Sequence, residues 1–403
     1  MIISIYGIPR SGKDTFINGV LARNNNSIHV KGSETLNELA IFKYGCKFKQ
    51  LDEERQKQIR IAFTKRVNDL KKDYQTILVD GHYSFPKQNG YNIVFTEEDL
   101  KLYDAFFYLK RTGEEIARNF NSDNKIEYSE YLLSKEKAEE WIEFEIKNMQ
   151  KQVENSEKDF VVLDSNSLSL DFVCAFNKKS SETAKDIANG IKAFAGGRKV
   201  ILTDLDKTVS INDLTNDFIE DSSLDPLFPK KIFKGDYYTQ YQFWRFHKYL
   251  LDSKTYEKSI DYSLSKICLN NNLVRDLEKL KKANCVVALT TGMVDAWRII
   301  NEKINLFEEI IGFSKDKNII ITPFIKKLVS KYLSKTNEVM AIGDSIIDLG
   351  MILESKKGYL VAMTKLDKRI INAQNRGEIN KKIYQPSYSL FKYDFVKEDD
   401  IKW

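Results

Sequence analysis

The sequence predicts an α/β protein of two parallel-sheet domains in tandem, and three observations predict it. Short apolar runs alternate with stretches of helical period throughout, the pattern of strand–helix–strand units with right-handed crossovers. Many of these runs end in loops carrying Gly, Asp, Ser or Thr, where parallel sheets place their chemistry. Near mid-chain, a helical stretch over 181–194 stops at Ala195-Gly196-Gly197-Arg198, a helix end plus flexible joint, and a new strand follows at once. The expected domains are therefore 1–195 and 198–390, with 391–403 an unassigned tail. A length of 403 residues gives each domain enough chain to bury a core.

In the first domain, Met1-Ile2-Ile3-Ser4-Ile5-Tyr6 reads as a strand opening into Gly7-Ile8-Pro9-Arg10-Ser11-Gly12-Lys13-Asp14-Thr15, with a helix over 16–21 behind it. Strand, glycine-bearing loop and helix in that order form a phosphate-binding loop. Gly7 and Gly12 let backbone N–H groups turn inward, the helix start adds partial positive charge, and Lys13 bridges the β and γ phosphates of a nucleotide. Arg10, Ser11, Asp14 and Thr15 complete the candidate ATP site, although Asp14 stands where a Ser or Thr usually ligates Mg²⁺. Further strands are expected at Ser27-Ile28-His29-Val30, Ile77-Leu78-Val79-Asp80, Ala105-Phe106-Phe107-Tyr108-Leu109 and Phe160-Val161-Val162-Leu163. Asp80 at its strand tip suits Mg²⁺ or its water shell. His82 reads either as an acceptor contact or as a structural histidine. Lys110-Arg111 is expected to begin a helix carrying Arg118, and Arg111 and Arg118 are candidates for neutralising a transferring phosphoryl group. The run Arg10-Ser11-Gly12-Lys13-Asp14-Thr15 resembles the loop of phage-type deoxynucleoside monophosphate kinases, and Gly7-x-Pro9 is similar to adenylate kinases. The resemblance implies a kinase core using ATP and Mg²⁺.

The second domain opens on Val200-Ile201-Leu202-Thr203-Asp204-Leu205-Asp206-Lys207-Thr208, a buried strand ending in carboxylates at i and i+2 on one face. One such carboxylate can attack phosphorus, and two can converge on a hard cation; the alternative is a solvated acidic turn. Two later apolar runs end in Thr290-Thr291-Gly292 and in Gly343-Asp344-Ser345-Ile346-Ile347-Asp348. The three strand ends, in this order, resemble the haloacid-dehalogenase phosphohydrolases over roughly 198–375. The resemblance implies a Rossmann-like domain with Asp204 as nucleophile, Asp206 as general acid and base, Thr290 on the phosphoryl group, and Asp204, Asp206, Asp344 and Asp348 as the candidate Mg²⁺ set. That family also has a charge-neutralising Lys near the start of the helix before Gly-Asp. Here the start reads Ile321-Thr322-Pro323, and Lys326, one turn along from Thr322, is the choice. The long stretch from Asp206 to Thr290 exceeds a crossover helix. Its aromatic cluster (Tyr237, Tyr238, Tyr241, Phe243, Trp244, Phe246 and Tyr249) at near-helical spacing reads as a helical cap over about 211–272, resembling that of phosphoserine-phosphatase-like members; a base-stacking platform is the alternative.

A net charge of +5 with interspersed signs lacks the basic block of a dedicated nucleic-acid binder. Cys46, Cys174, Cys268 and Cys285 show no Cys-x-x-Cys spacing and there are three His, so the cysteines read as reduced thiols rather than a zinc site. No signal pattern or membrane-length apolar run is present, so the expectation is a soluble cytoplasmic protein without a membrane partner. Together these readings predict a kinase joined to a Mg²⁺-dependent phosphomonoesterase acting on small phosphorylated metabolites or nucleotides. The competing reading takes nucleic acid as partner, because kinase followed by phosphatase is also the order of phage-type polynucleotide kinase-phosphatases.

Overall fold

In the computed structural model, which describes residues 1–87, 89–122, 133–234, 238–317, 319–362, 365–388, 396–398 and 401–403, the chain separates into two units, Met1–Lys179 and Ser180–Trp403. The first holds a five-stranded sheet of β1 (Ile2–Tyr6), β2 (Ser27–Lys31), β3 (Thr76–Asp80), β4 (Ala105–Leu109) and β5 (Asp159–Leu163), in the order β2-β3-β1-β4-β5. All its pairings are parallel. β1, β4 and β5 are buried at every position, which is why they read as unbroken apolar runs instead of alternating ones.

The helix behind the first loop is Lys13–Leu21, three residues longer at its start than the apolar pattern suggests, with Gly12 as its N-cap. Lys110 and Arg111 do not begin a helix: the next one is Gly113–Asn121, started by a Thr112/Glu115 capping box. Helix Lys135–Asn155 buries Glu145, whose carboxylate accepts from the Ser84 amide and hydroxyl, Trp141 Nε1 and Tyr108 OH. Burial pushes that carboxyl up to about 7.

The second unit begins earlier than the glycine pair suggests. Helix Ser180–Ala195, expected to close the first domain, belongs to the second: Ala184, Ala188, Ile191 and Ala195 lie in one core with Ile325, Leu328 and Val329 of helix Pro323–Leu333. Its buried side chains recur at helical spacing, and that apolar stripe decides which core it joins. Gly196 and Gly197, at φ +59° and +81°, turn the chain from this helix into the sheet within that unit.

The second sheet has seven strands: β6 (Val200–Thr203), β7 (Cys285–Met293), β8 (Glu309–Phe313), β9 (Val339–Gly343), β10 (Lys357–Leu360), β11 (Tyr384–Pro386) and β12 (Val396–Glu398). Their order is β8-β7-β6-β9-β10-β11-β12, again all parallel. The tail is thus part of the fold: β12 extends the sheet, Ile401 is buried, and Trp403 Nε1 donates to Glu338. Between β6 and β7 run helices Leu214–Asp221, Phe228–Ile232, Gln240–Leu251, Tyr256–Lys266 and Asn271–Lys281. Tyr241, Phe243, Trp244 and Phe246 are buried in this insert, as a helical cap requires; Tyr237 lies outside the described residues. Among the described residues, no helix is long and apolar enough to cross a membrane.

Candidate active sites

Register brings the second site together. Thr203 pairs with Ile342 on one side and Ala288 on the other, so Asp204, Asp344 and Thr290 all lie just beyond the paired stretch at one sheet edge. Carboxylate oxygens of Asp204, Asp344 and Asp348 lie within 4.8 Å of one another. Lys326, wholly buried, donates from Nζ to Asp204 Oδ1 at 2.7 Å and to Asp348 Oδ1 at 2.6 Å. Asp348 approaches this closely because Gly343 has no side chain: a Cβ there would lie 2.5 Å from the Asp348 carboxyl carbon. Ser345 fixes the other Asp348 oxygen through its amide at 3.3 Å and hydroxyl at 3.0 Å, the capping box of helix Ile346–Glu354.

The electrostatics call for a cation. Burial, then the charge of Asp348, raises Asp204 to about 6 against the opposing pull of Lys326. Asp344 is pushed well above the carboxylate range by burial and by Asp348 and Asp204. On Lys326 burial works against the charge, but Asp204 and Asp348 hold the ammonium above its usual range. Three converging acids with one ammonium are the donor chemistry of a hard divalent cation, so the residues fit Mg²⁺.

Asp206, expected in the metal set, is not one of the converging carboxylates. Its Oδ1 accepts from Trp297 Nε1 at 2.9 Å and the Leu214 amide at 3.3 Å, and its Oδ2 from the Thr215 hydroxyl at 3.0 Å. Burial and the nearby Asp213 charge lift it to about 7, where a carboxyl both gives and takes a proton at neutral pH. Thr290 is buried beside them, its hydroxyl accepting from the Gly292 amide at 3.1 Å. All this opens onto a cavity of about 850 Å³, walled by Phe233, Tyr238, Phe243 and Phe246 of the insert and by Lys365 and Arg369. Trp297, Thr215 and Arg369 had no sequence signal: they come from helices whose local pattern is ordinary and reach the site only through packing.

In the first unit, Ile5 pairs with Asp80 and with Phe107, so the loop from Gly7 leaves β1 beside the end of β3. Arg10 and Gly12 hold φ of +66° and +82°, the left-handed turns that curl the loop. Lys13, buried, donates to the Gly7 carbonyl at 2.7 Å and the Ile8 carbonyl at 3.3 Å; burial lowers its ammonium to about 8. The Ser11 hydroxyl is buried without a hydrogen-bond partner among the described residues, a donor suited to an incoming phosphate oxygen. Asp14 and Thr15 are exposed at the helix start. Arg111 Nε touches the loop at the Ser11 carbonyl, 3.3 Å away, whereas Arg118 is exposed on helix Gly113–Asn121. His82 Nδ1 lies 3.1 Å from the Gly7 carbonyl and, driven to about 3 by burial and Lys13, is a neutral brace of the loop. Asp80 Oδ1 accepts from the Gly32 amide at 3.0 Å and lies 3.1 Å from His29 Nε2. These bonds outweigh its burial and keep it below the usual carboxylate range.

Residues 6–131 match the family described as AAA domain, which spans the phosphate loop and β3. No curated protein matches the sequence. Among solved structures, a substrate-bound phosphoserine phosphatase is similar at 16% identity over 44% of this chain and 98% of its own, with a TM-score of 0.34. A Pnkp1/Rnl/Hen1 RNA repair complex is similar at 13% identity, 87% and 91% coverage and TM-score 0.25. Shikimate kinase from Bacteroides thetaiotaomicron is similar at 11% identity, 43% and 94% coverage and TM-score 0.27. Likeness at this level carries no chemistry, which rests on the geometry of the two sites.

Proposed function

We propose that the chain joins two opposed phosphoryl-transfer activities: an ATP-dependent kinase in the first unit and a Mg²⁺-dependent phosphomonoesterase in the second. The observation that carries the second half is Lys326, buried and bridging Asp204 and Asp348 within a group of three converging carboxylates. By occupying Asp204 Oδ1, Lys326 leaves Oδ2 to attack phosphorus and form an aspartyl-phosphate. Asp206, held by Trp297 and Thr215, protonates the departing oxygen and then takes the proton of the water that hydrolyses the intermediate. Thr290 and Lys326 bind the equatorial phosphoryl oxygens. Mg²⁺, held by Asp204, Asp344 and Asp348, would supply charge neutralisation at the phosphoryl group. In the first unit Lys13, Ser11, the loop amides and the start of helix Lys13–Leu21 would hold the ATP phosphates, with Asp80 on the cation side.

Small phosphorylated metabolites or nucleotides are the substrates this reading favours, since Tyr241, Phe243, Trp244 and Phe246 of the insert are buried as a cap core instead of standing in a row on the surface. Phosphate release from nucleotides, sugar phosphates, phosphoserine and 3′-phosphorylated oligonucleotides, measured in competition at two salt concentrations, tests it. Faster release from the small substrates supports the reading. A preference for oligonucleotide ends that fades with salt replaces it with end healing, and no release from any of them with Mg²⁺ present removes the phosphatase.

A further inference from the structure

Beside the phosphate loop, Asp14, His29 and Asp80 each place a potential ligand atom within 4.8 Å of the other two. They come from three elements: helix Lys13–Leu21, β2 and the end of β3. The side chains of His29 and Asp80 are 9% and 18% exposed, so both are largely withdrawn from water. Asp14 and Asp80 have no ion pair with a Lys or Arg among the described residues: Lys13 donates its ammonium to the Gly7 and Ile8 carbonyls, and Lys31 pairs with Glu34. Two carboxylates this close, with an imidazole beside them and no contacting cation, leave negative charge that a divalent ion would neutralise.

We infer that His29 is a ligand of the kinase-site cation, making this centre select a first-row transition ion such as Mn²⁺ over Mg²⁺. Mg²⁺ prefers oxygen donors and gains little from an imidazole, whereas the first-row transition ions bind it, Mn²⁺ least strongly and the later ions more so. His29 Nε2, 3.1 Å from Asp80 Oδ1, faces the carboxylates. His29 would hold the ion through Nε2 as the neutral tautomer protonated at Nδ1, and Asp80 would keep the Gly32 amide. Asp14 then explains itself: a carboxylate in place of the usual hydroxyl adds the charge that lets the site hold its ion before the nucleotide arrives. This inference rests on the kinase reading for its role but not for its geometry.

The test uses the full chain carrying Asp344→Asn, which weakens the second unit's all-oxygen cluster, and titrates MnCl₂ and MgCl₂ without nucleotide. Mn²⁺ should bind at least about tenfold tighter than Mg²⁺, and His29→Gln should cost Mn²⁺ roughly tenfold or more in affinity while hardly moving Mg²⁺. The Mn²⁺-loaded protein should show the ¹⁴N modulation of a directly bound imidazole in pulsed electron paramagnetic resonance, lost in His29→Gln; the Lys326 nitrogen beside the second unit's cluster is not a ligand atom and is unchanged by that substitution. His29→Asn, with an unchanged melting curve, guards against a folding defect. Equal Mn²⁺ affinity in wild type and both variants, or no nitrogen modulation, overturns the inference. ATP binding measured in parallel separates the two claims: nitrogen modulation without ATP binding sinks the kinase reading alone, and ATP binding without modulation sinks the ligand role of His29 alone.

Discussion

Replacing Lys326 by Met removes the ammonium that bridges Asp204 and Asp348 while nearly preserving volume. Lys326 is wholly buried and makes two charge-assisted hydrogen bonds, 2.7 Å to Asp204 and 2.6 Å to Asp348. Deleting one partner of a buried ion pair leaves uncompensated charge, typically worth about 3–5 kcal/mol, and here two carboxylates are stranded. For a domain of this size, each kcal/mol moves Tm by roughly 2–4 °C, so the second unit should melt on the order of 10 °C lower in EDTA. The loss should shrink as pH falls: without Lys326, Asp204 moves up from about 6 and takes a proton to escape the repulsion, so the variant should be relatively more stable at pH 5 than at pH 8. Mg²⁺ should restore part of the stability but not phosphatase turnover, because the equatorial oxygens lose their ammonium. Calorimetry of both proteins at two pH values, with EDTA or Mg²⁺, reads this out. A variant as stable as wild type in EDTA, or one that turns over substrate normally, would refute the reasoning.

Three further outcomes follow from the same geometry. Asp204→Asn should abolish phosphatase turnover and leave ATP binding intact, whereas Lys13→Ala should do the converse; a folded single variant that loses both activities contradicts two separate sites. The kcat of the phosphatase on an alkyl phosphate should fall as pH rises past about 7, because the protonated form of Asp206 is the donor, and the limb should vanish with p-nitrophenyl phosphate, whose leaving group needs no proton. The first unit should lose stability as pH rises through about 7: Glu145 is raised in the folded state, so the native form binds the extra proton and its contribution, full below the unfolded value, disappears above the folded one. Glu145→Gln should flatten that dependence, and an unchanged slope in chemical denaturation would show that the carboxyl is not protonated there.

The amino-acid sequence determined which residues sit at the strand ends. In a parallel sheet buried on both faces, a strand is an unbroken apolar run, and the residues that follow it need Gly, Asp, Ser or Thr to bind phosphate or metal. Hence the loop from Gly7 to Thr15, the Asp204 strand end, Thr290 and Asp344 could all be read directly, and with them two α/β units. Lys326 was reachable because one helical turn from Thr322 fixes a direction. The sequence could not say which core claims an amphipathic helix: residues 181–194 look the same whether they close one domain or open the next, and only the packing of Ala184, Ala188 and Ile191 on helix Pro323–Leu333 assigns them. Nor could it show that three-residue segments such as Tyr384–Pro386 and Val396–Glu398 become strands, since a segment so short has no period and takes its conformation from the sheet edge it meets. The separation of roles among the acids was likewise tertiary. Asp206 stands apart from the carboxylate cluster because Trp297, 91 residues along the chain, and Thr215, nine residues along on the next helix, supply donors that hold it, and His29 joins Asp14 and Asp80 because three elements converge where no single stretch of sequence records the meeting.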